Sequence, residues 1–563
     1  MQCHQAIAER LVRLGVREAF TYTTDDVVHL VAELDLRGVQ VRHARHEQIA
    51  VGMADGYSRA SGNVGVVLVG GAVGLTNCVN ALLTAIKAHS RVLVIVGETA
   101  GGTSDAAQLM RKFIDQHGLL GVLRARHHDV AAASAAADAQ ACYELAAGGG
   151  ELVVMGIPEE VMHAEAGGAG SALPAPAPPA PLGDADRDLI VGALQETWAA
   201  RRTVILAGRG AVHAGAREEL IRLADAAGAL LATTVMARDL FAGEPYAIGV
   251  SGNFSTPVAS ELLVQADLIL AFGASLNYDT TLDRDLYGKA RLIHVDNDPA
   301  AVGRFGEPDL AVIADARLAA RSITDALMAA GHVPAAGYRT ADVAERIASY
   351  TADSEFTDSS GPRGMDNRAL MAALDKILPA ERTVVVDGGV QMLPPVRHLR
   401  VPDPGGFVWP VEYGAIGCAL GCAIGAAVAR PDRLTVLAIG DGALMMTLSD
   451  LDTAVRYELP LLVVVSNNGG LAAEYGHLTA KGYDGEQVMY TKLSLEAVAR
   501  SLGYEAATVT SVADLDGLAD RIRTVRAPFL LDCRVTPERF DQGGPSYARR
   551  KALGAGAVPV QAP

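Results

Sequence analysis

The residues of this chain best suited to chemistry are Gly440-Asp441-Gly442-Ala443 and, one predicted helix and one predicted strand later, Asn467-Asn468. Glycines at a strand-to-helix turn let backbone N–H groups come close to an anion, and Asp441 adds a negatively charged oxygen beside them. Residues 435–439 read as a buried strand, 448–457 as an amphipathic helix and 461–466 as a second buried strand. One βαβ unit then sets Asp441 and Asn468 on the same edge of a parallel sheet, where the carboxyl ends of strands gather ligands. Two oxygen ligands next to a phosphate-type turn suit Mg²⁺, which is usually held by a few protein oxygens together with phosphate and water.

The elements around this unit predict an α/β chain of three consecutive doubly wound parallel-sheet domains. Strands over 64–69 and 92–96 alternate with helices in the first part. A Gly, Ala and Pro rich stretch over 167–183 cannot bury a core and reads as an extended linker. After it, a strand over 203–206 enters the glycine turn Gly208-Arg209-Gly210, and residues 268–272 and 292–296 read as further parallel strands. A second, polar boundary lies over 350–363. The expected division is a first domain over 1–166, a linker over 167–185, a central domain over 186–350, a linker over 351–365, a last domain over 366–540 and a tail over 541–563.

Composition narrows the function. A chain of 563 residues has room for about three to four domains. The net charge of −17 argues against nucleic acid or an anionic membrane as partner, since both need basic patches. The six cysteines are scattered in apolar or small-residue surroundings, which suits reduced core thiols. Cys418 and Cys422 share a helical spacing without further soft ligands. No secretory signal and no long apolar run is present, so a cytoplasmic location is expected.

With its GDG turn followed by NN, the segment 440–470 resembles the cofactor motif of thiamine-diphosphate enzymes. A second signature, Arg45-His46-Glu47-Gln48 with Ala54-Asp55-Gly56-Tyr57-Ser58-Arg59-Ala60-Ser61-Gly62, resembles the glutamate-bearing helix of the acetolactate synthase branch. The resemblance runs along nearly the whole chain and implies a pyrimidine-binding domain, a central dinucleotide-fold-like domain and a diphosphate-binding domain. It implies thiamine diphosphate and Mg²⁺ as cofactors, with Asp441, Asn468 and the carbonyl of Gly470 on the metal and Gly440, Gly442 and Ala443 at the diphosphate. Glu47 would sit at the pyrimidine and drive the imino tautomer that serves as internal base, from a largely apolar site. Gly389, Val390 and Gln391 would wrap the diphosphate, Gly414 would offer a carbonyl to the 4′-amino group, and Ile416 would be the aliphatic wedge that bends the cofactor. The family also implies that the first and last domains of one chain do not close on each other. The site would lie between two copies, in a homodimer or a dimer of dimers. Acetolactate synthases carry FAD in the central domain, and Gly208-Arg209-Gly210 keeps that possibility open.

Residues near the reacting centre follow no single member of the family. The turn Gly70-Gly71-Ala72-Val73-Gly74-Leu75-Thr76-Asn77 lacks the histidine of benzoylformate-type decarboxylases, and 103–116 lacks the His-His pair of pyruvate decarboxylases. Asp25 and Glu474 do match decarboxylase positions, and Glu474 is expected to be buried, with a raised pKa. Lys112 stands near the synthase glutamine that positions the second substrate, as a cation for an acidic acceptor or a carboxylate. Three reactions stay open: decarboxylation of a 2-oxo acid with transfer of the acyl anion equivalent to a carbonyl acceptor, release of an aldehyde, and cleavage of a 2-hydroxyacyl-CoA. In the last, Arg549, Arg550 and Lys551 of the tail would meet a nucleotide phosphate.

Overall fold

A computed structural model describes residues 1–98, 108–196, 202–331 and 337–537. It holds three six-stranded, wholly parallel sheets. The first contains β1 (Glu18–Tyr22), β2 (Gln40–His43), β3 (Gly65–Val69), β4 (Val92–Glu98), β5 (Arg126–Asp129) and β6 (Leu152–Pro158), in the order 2-1-3-4-6-5. The second contains β7 (Thr203–Ala207), β8 (Leu230–Thr233), β9 (Ala247–Val250), β10 (Leu268–Phe272), β11 (Arg291–Asp296) and β12 (Leu310–Ile313), in the order 12-11-10-7-8-9. The third contains β13 (Arg382–Val386), β14 (Phe407–Val408), β15 (Leu434–Gly440), β16 (Leu461–Asn467), β17 (Glu505–Val509) and β18 (Phe529–Arg534), in the order 14-13-15-16-18-17. Counted from its own first strand, the third sheet repeats the order of the first. The second has the order of dinucleotide-binding sheets. Continuous apolar runs such as Val-Val-Leu-Val in β3 and Leu-Leu-Val-Val-Val in β16 are buried on both faces, as strands covered by helices must be.

The described residues fall into two compact units. One joins residues 1–177 with 358–400 and from 405 onward, so the first and third sheets belong together; the other holds the second sheet, within 178–357. A shared core within one chain is compatible with a cofactor cleft that a second copy completes. A single apolar core runs from Ile49, Met53 and Val67 to Val385, Leu437 and Val463. The contact is made by two helices, Glu47–Ser61 and Ala419–Ala429, whose glycines allow an unusually close approach. A Cβ on Gly56 would stand 2.0 Å from the Cys422 carbonyl oxygen, and one on Gly425 would stand 1.9 Å from that of Met53. Beside these glycines, Arg59, whose side chain is 10% exposed, bridges Asp55 at 2.8 and 2.9 Å and Glu412 at 2.8 and 3.2 Å. Two carboxylates on one guanidinium are what make a charge tolerable at such depth. All six cysteines are free and buried.

The second unit has its own core, centred on Ile205, Leu231, Leu270 and Ile293. Its glycine turn is occupied by backbone. A Cβ on Gly208 would lie 2.1 Å from the Gly273 carbonyl oxygen, and Gly210 N–H donates to that oxygen at 2.9 Å. Close packing of two loops therefore accounts for these glycines.

Candidate active site

Strand register decides what gathers at the carboxyl edge of the third sheet. Val386 pairs with Ala438, and Gly440 pairs with Ser466, so the segments that follow β13, β15 and β16 emerge side by side. Asp441 opens a short helix, Asp441–Met445, with Gly440 as its extended N-cap. Its carboxylate accepts the Gly469 N–H at 3.1 Å, which joins the aspartate to the loop after β16. In that loop Asn468 is buried and accepts the Gly470 N–H at 3.0 Å, while Gly470 bridges to Met489. Burial pushes Asp441 above the ordinary carboxylate range, and backbone N–H groups pull it partly back. A dication at this carboxylate would reverse that balance.

The next loop is held by a residue to which the sequence reading assigned no role. Asp387 is buried and accepts from Gly388 N–H at 2.7 Å, Gly417 N–H at 2.9 Å and Ala419 N–H at 3.1 Å. It thereby ties the loop of Gly389, Val390 and Gln391 to that of Gly414 and Ile416. Gly389 and Gly414 both have φ in the left-handed region, +83° and +84°. Ile416 is half-buried, and its Cγ2 would lie 3.1 Å from a Cβ on Gly388, so it packs against that turn. Asn367, also missed in sequence, donates to Gln391 Oε1 at 2.7 Å and accepts from Ser466 at 3.2 Å.

Glu47 starts the helix Glu47–Ser61, where the His46 ring accepts the Gln48 N–H and Gly62 ends the helix at φ +77°. The glutamate is 5% exposed; Asn77 Nδ2 donates to its Oε2 at 3.0 Å, and Gly74 leaves space beside Oε1. Its neighbour Gln48 reaches the Gly417 carbonyl at 3.4 Å, linking the helix start to the loop of Gly414 and Ile416. The turn carrying Gly74 and Asn77 is strained at Ala72, which has φ +46°. Two further residues hold this turn: Asp26 accepts Gly71 N–H at 3.0 Å, and buried Gln116 accepts Ala72 N–H at 2.8 Å. Each lies more than forty residues from the turn it holds, so the sequence around the turn gave no signal for either.

Asp25 and Lys112 are brought together, with Lys112 Nζ 2.8 and 2.9 Å from the two Asp25 oxygens and 3.8 Å from Asp26. The Lys112 hydrogen bond holds Asp25 below its ordinary value, and the Asp25 hydrogen bond raises Lys112. Burial, and then the Asp25 charge, lift Asp26. Glu474 differs from expectation. It lies in the first turn of the helix Ala472–Ala480 and is exposed, because that turn projects from the sheet edge with only Ala472 buried. Arg549, Arg550 and Lys551 lie outside the described residues.

Family models match segments from all three sheets. The model described as "Thiamine pyrophosphate enzyme, N-terminal TPP binding domain" matches residues 1–119, the corresponding central domain matches 191–323, and the C-terminal TPP binding domain matches 366–533. The chain belongs to the thiamine-diphosphate enzymes. Within that family it is similar to the acetolactate synthase isozyme 3 large subunit of Escherichia coli, 25% identical over 97% of this chain and 96% of the relative. It is also similar to a sulfoacetaldehyde acetyltransferase of Castellaniella defragrans, 28% identical over 91% and 88%. A putative acetolactate synthase large subunit of Mycobacterium tuberculosis is 27% identical over 89% and 91%. The family cofactor is thiamine diphosphate, usually with Mg²⁺. The residues here fit it: the carboxylate of Asp441 and the amide of Asn468 are hard oxygen donors within one loop contact of each other.

Proposed function

We propose that this enzyme decarboxylates a 2-oxo acid and transfers the acyl unit to a carbonyl acceptor, with aldehyde release as the second reading. The cofactor, when bound, supplies the electron sink. Glu47 would hold the pyrimidine from a buried, Asn77-anchored position, Asp441, Asn468 and Gly470 would hold the metal, Gly389, Val390, Gln391, Gly440, Gly442 and Ala443 would bind the diphosphate, and Gly414 and Ile416 would meet the rest of the cofactor. The observation that carries the choice of transfer is similarity along nearly the whole chain to proteins named as an acetolactate synthase and an acetyltransferase. Cleavage of a 2-hydroxyacyl-CoA gains no support from the described residues.

Lys112, paired with Asp25 beside the strained turn, is the cation proposed for an acidic group of donor or acceptor. Large apolar side chains are exposed on the elements that carry the site: Val73, Tyr413, Met445 and Met446. Such exposure supports a second copy as their cover, hence a dimer with shared sites. Among the described residues no helix is long and apolar enough to cross a membrane. The free buried thiols support the cytoplasm as its location. The test is incubation of the Mg²⁺- and cofactor-loaded enzyme with a panel of 2-oxo acids, with and without aldehyde, ketone and 2-oxo acid acceptors, and products identified by mass spectrometry. Transfer predicts acceptor-dependent ligated products. Aldehyde at equal rate without acceptor would select the second reading.

A further inference from the structure

Outside the cofactor site, one cluster brings together groups whose spacing matches a metal's coordination shell. Glu98 closes β4, Asp129 closes β5, and β6 runs between them in the sheet, with Pro158 opposite Glu98 and Gly156 opposite Asp129. Carboxylates two strands apart can meet only if the middle strand offers no side chain. Gly156 supplies that gap: a Cβ there would stand 2.4 Å from Glu98 Oε1 and 2.9 Å from Asp129 Oδ1. Into the same space His117, from the first turn of the helix Gln116–Leu123, directs its Nε2, 3.4 Å from Glu98 Oε1 and 3.2 Å from Asp129 Oδ2. The three ligand atoms lie within 4.8 Å of one another. Ligands bound at about 2.1 Å to one tetrahedral or octahedral ion stand about 3.0 to 3.4 Å apart, so little movement is needed to close on a cation. His127 shares a strand face with Asp129, and its ring stacks on that of His117 at 5.3 Å, which limits the rotation of His117.

We propose that Glu98, His117 and Asp129 form a cation site for a borderline transition-metal dication of the Zn²⁺ class, separate from the Mg²⁺ set at Asp441 and Asn468. One imidazole and two carboxylates suit such an ion better than Mg²⁺, which prefers oxygen ligands alone. Burial, and then the Asp129 charge, push Glu98 up to about 7, so bringing the two carboxylates together carries a cost that a cation would remove. Occupied, the site joins the ends of β4 and β5 to the start of the helix that carries Gln116. Gln116 in turn holds Ala72 of the strained turn, so the metal braces the segment that presents Asn77 to Glu47.

The test uses the full chain saturated with thiamine diphosphate and Mg²⁺. Zn²⁺ is titrated by calorimetry into wild type, His117→Ala and Glu98→Gln, and Co²⁺ is followed by its visible d–d absorption. Wild type is expected to bind one equivalent that the variants bind at least about tenfold more weakly, to lose its Co²⁺ bands on substitution, and to gain thermal stability with Zn²⁺ that the variants do not gain. If His117→Ala does not fold, Glu98→Gln, which keeps shape and removes charge, decides alone. Equal Zn²⁺ affinity and stoichiometry in wild type and variant, or no Zn²⁺ bound by wild type, would leave the cluster as a histidine ion-paired with two carboxylates and overturn the proposal.

Discussion

Glu47 joins burial, one fixed oxygen and one open side, a combination that lets a carboxylate form a strong hydrogen bond to a bound ring. Glu47→Gln is expected to keep cofactor and fold while lowering kcat by at least about 10²-fold, since an amide is a poor driver of the imino tautomer. Comparison of kcat with cofactor affinity checks this, and a loss smaller than tenfold would remove Glu47 from the chemistry. Asp441→Ala acts on retention instead. With one oxygen ligand gone, thiamine diphosphate affinity in Mg²⁺ should fall by one or more orders of magnitude, measured by calorimetry, whereas Glu47→Gln should leave it nearly unchanged. These residues were legible because their neighbours in sequence carry the motif. Asp387, Asn367 and Gln116 were not: each acts through a contact between segments distant in sequence, as when Asp387 accepts from Gly417 and Ala419. The exposure of Glu474 was not legible, because a helix-start carboxylate has the same local sequence whether its turn is covered or projects into solvent.

At the scale of elements, the pairing of the helices Glu47–Ser61 and Ala419–Ala429 rests on glycines that no Cβ can replace without displacement. Gly56→Ala must move Cys422 backbone and should destabilise the protein by about 1–3 kcal/mol or more, with early loss of cofactor on heating. Gly517→Ala, a helical position with nothing within 4 Å, is the control and should be neutral to stabilising. Scanning calorimetry separates the two; equal melting behaviour would mean that the interface is loose. In the central sheet, Gly208 and Gly210 are accounted for by Gly273, so the glycine turn lends no support to a flavin. Purified enzyme is expected to show no visible flavin absorbance, and a stoichiometric flavin band would reopen that assignment. The strand positions were readable from apolar runs, whereas the use of each glycine depended on which backbone lay against it.

The whole molecule poses the question of which chain completes which site. If Glu47 of one copy serves Asp441 of another, mixing Glu47→Gln with Asp441→Ala chains creates hybrid dimers in which one site carries both substitutions and the other neither. After random exchange, about a quarter of wild-type activity should return. No recovery, with hybrid dimers demonstrated by mass spectrometry, would place a complete site within one chain, a result compatible with the shared core of the first and third sheets. The experiment therefore decides between cover by a second copy and closure by the chain itself.

Sequence alone determined the family, the cofactor and the order of the three sheets' domains. Those follow from local patterns: a phosphate turn at a strand end, buried runs of β-branched residues, a proline-rich break in hydrophobicity. Tertiary structure decided that the first and third sheets share one core, that Asp25 is matched with Lys112, that Glu474 stands exposed, and that Glu98, His117 and Asp129 converge over Gly156. The reason is physical. Secondary structure is written in side-chain periodicity within a few turns of chain, but burial, strand order and the meeting of charges depend on which distant surfaces fit against each other.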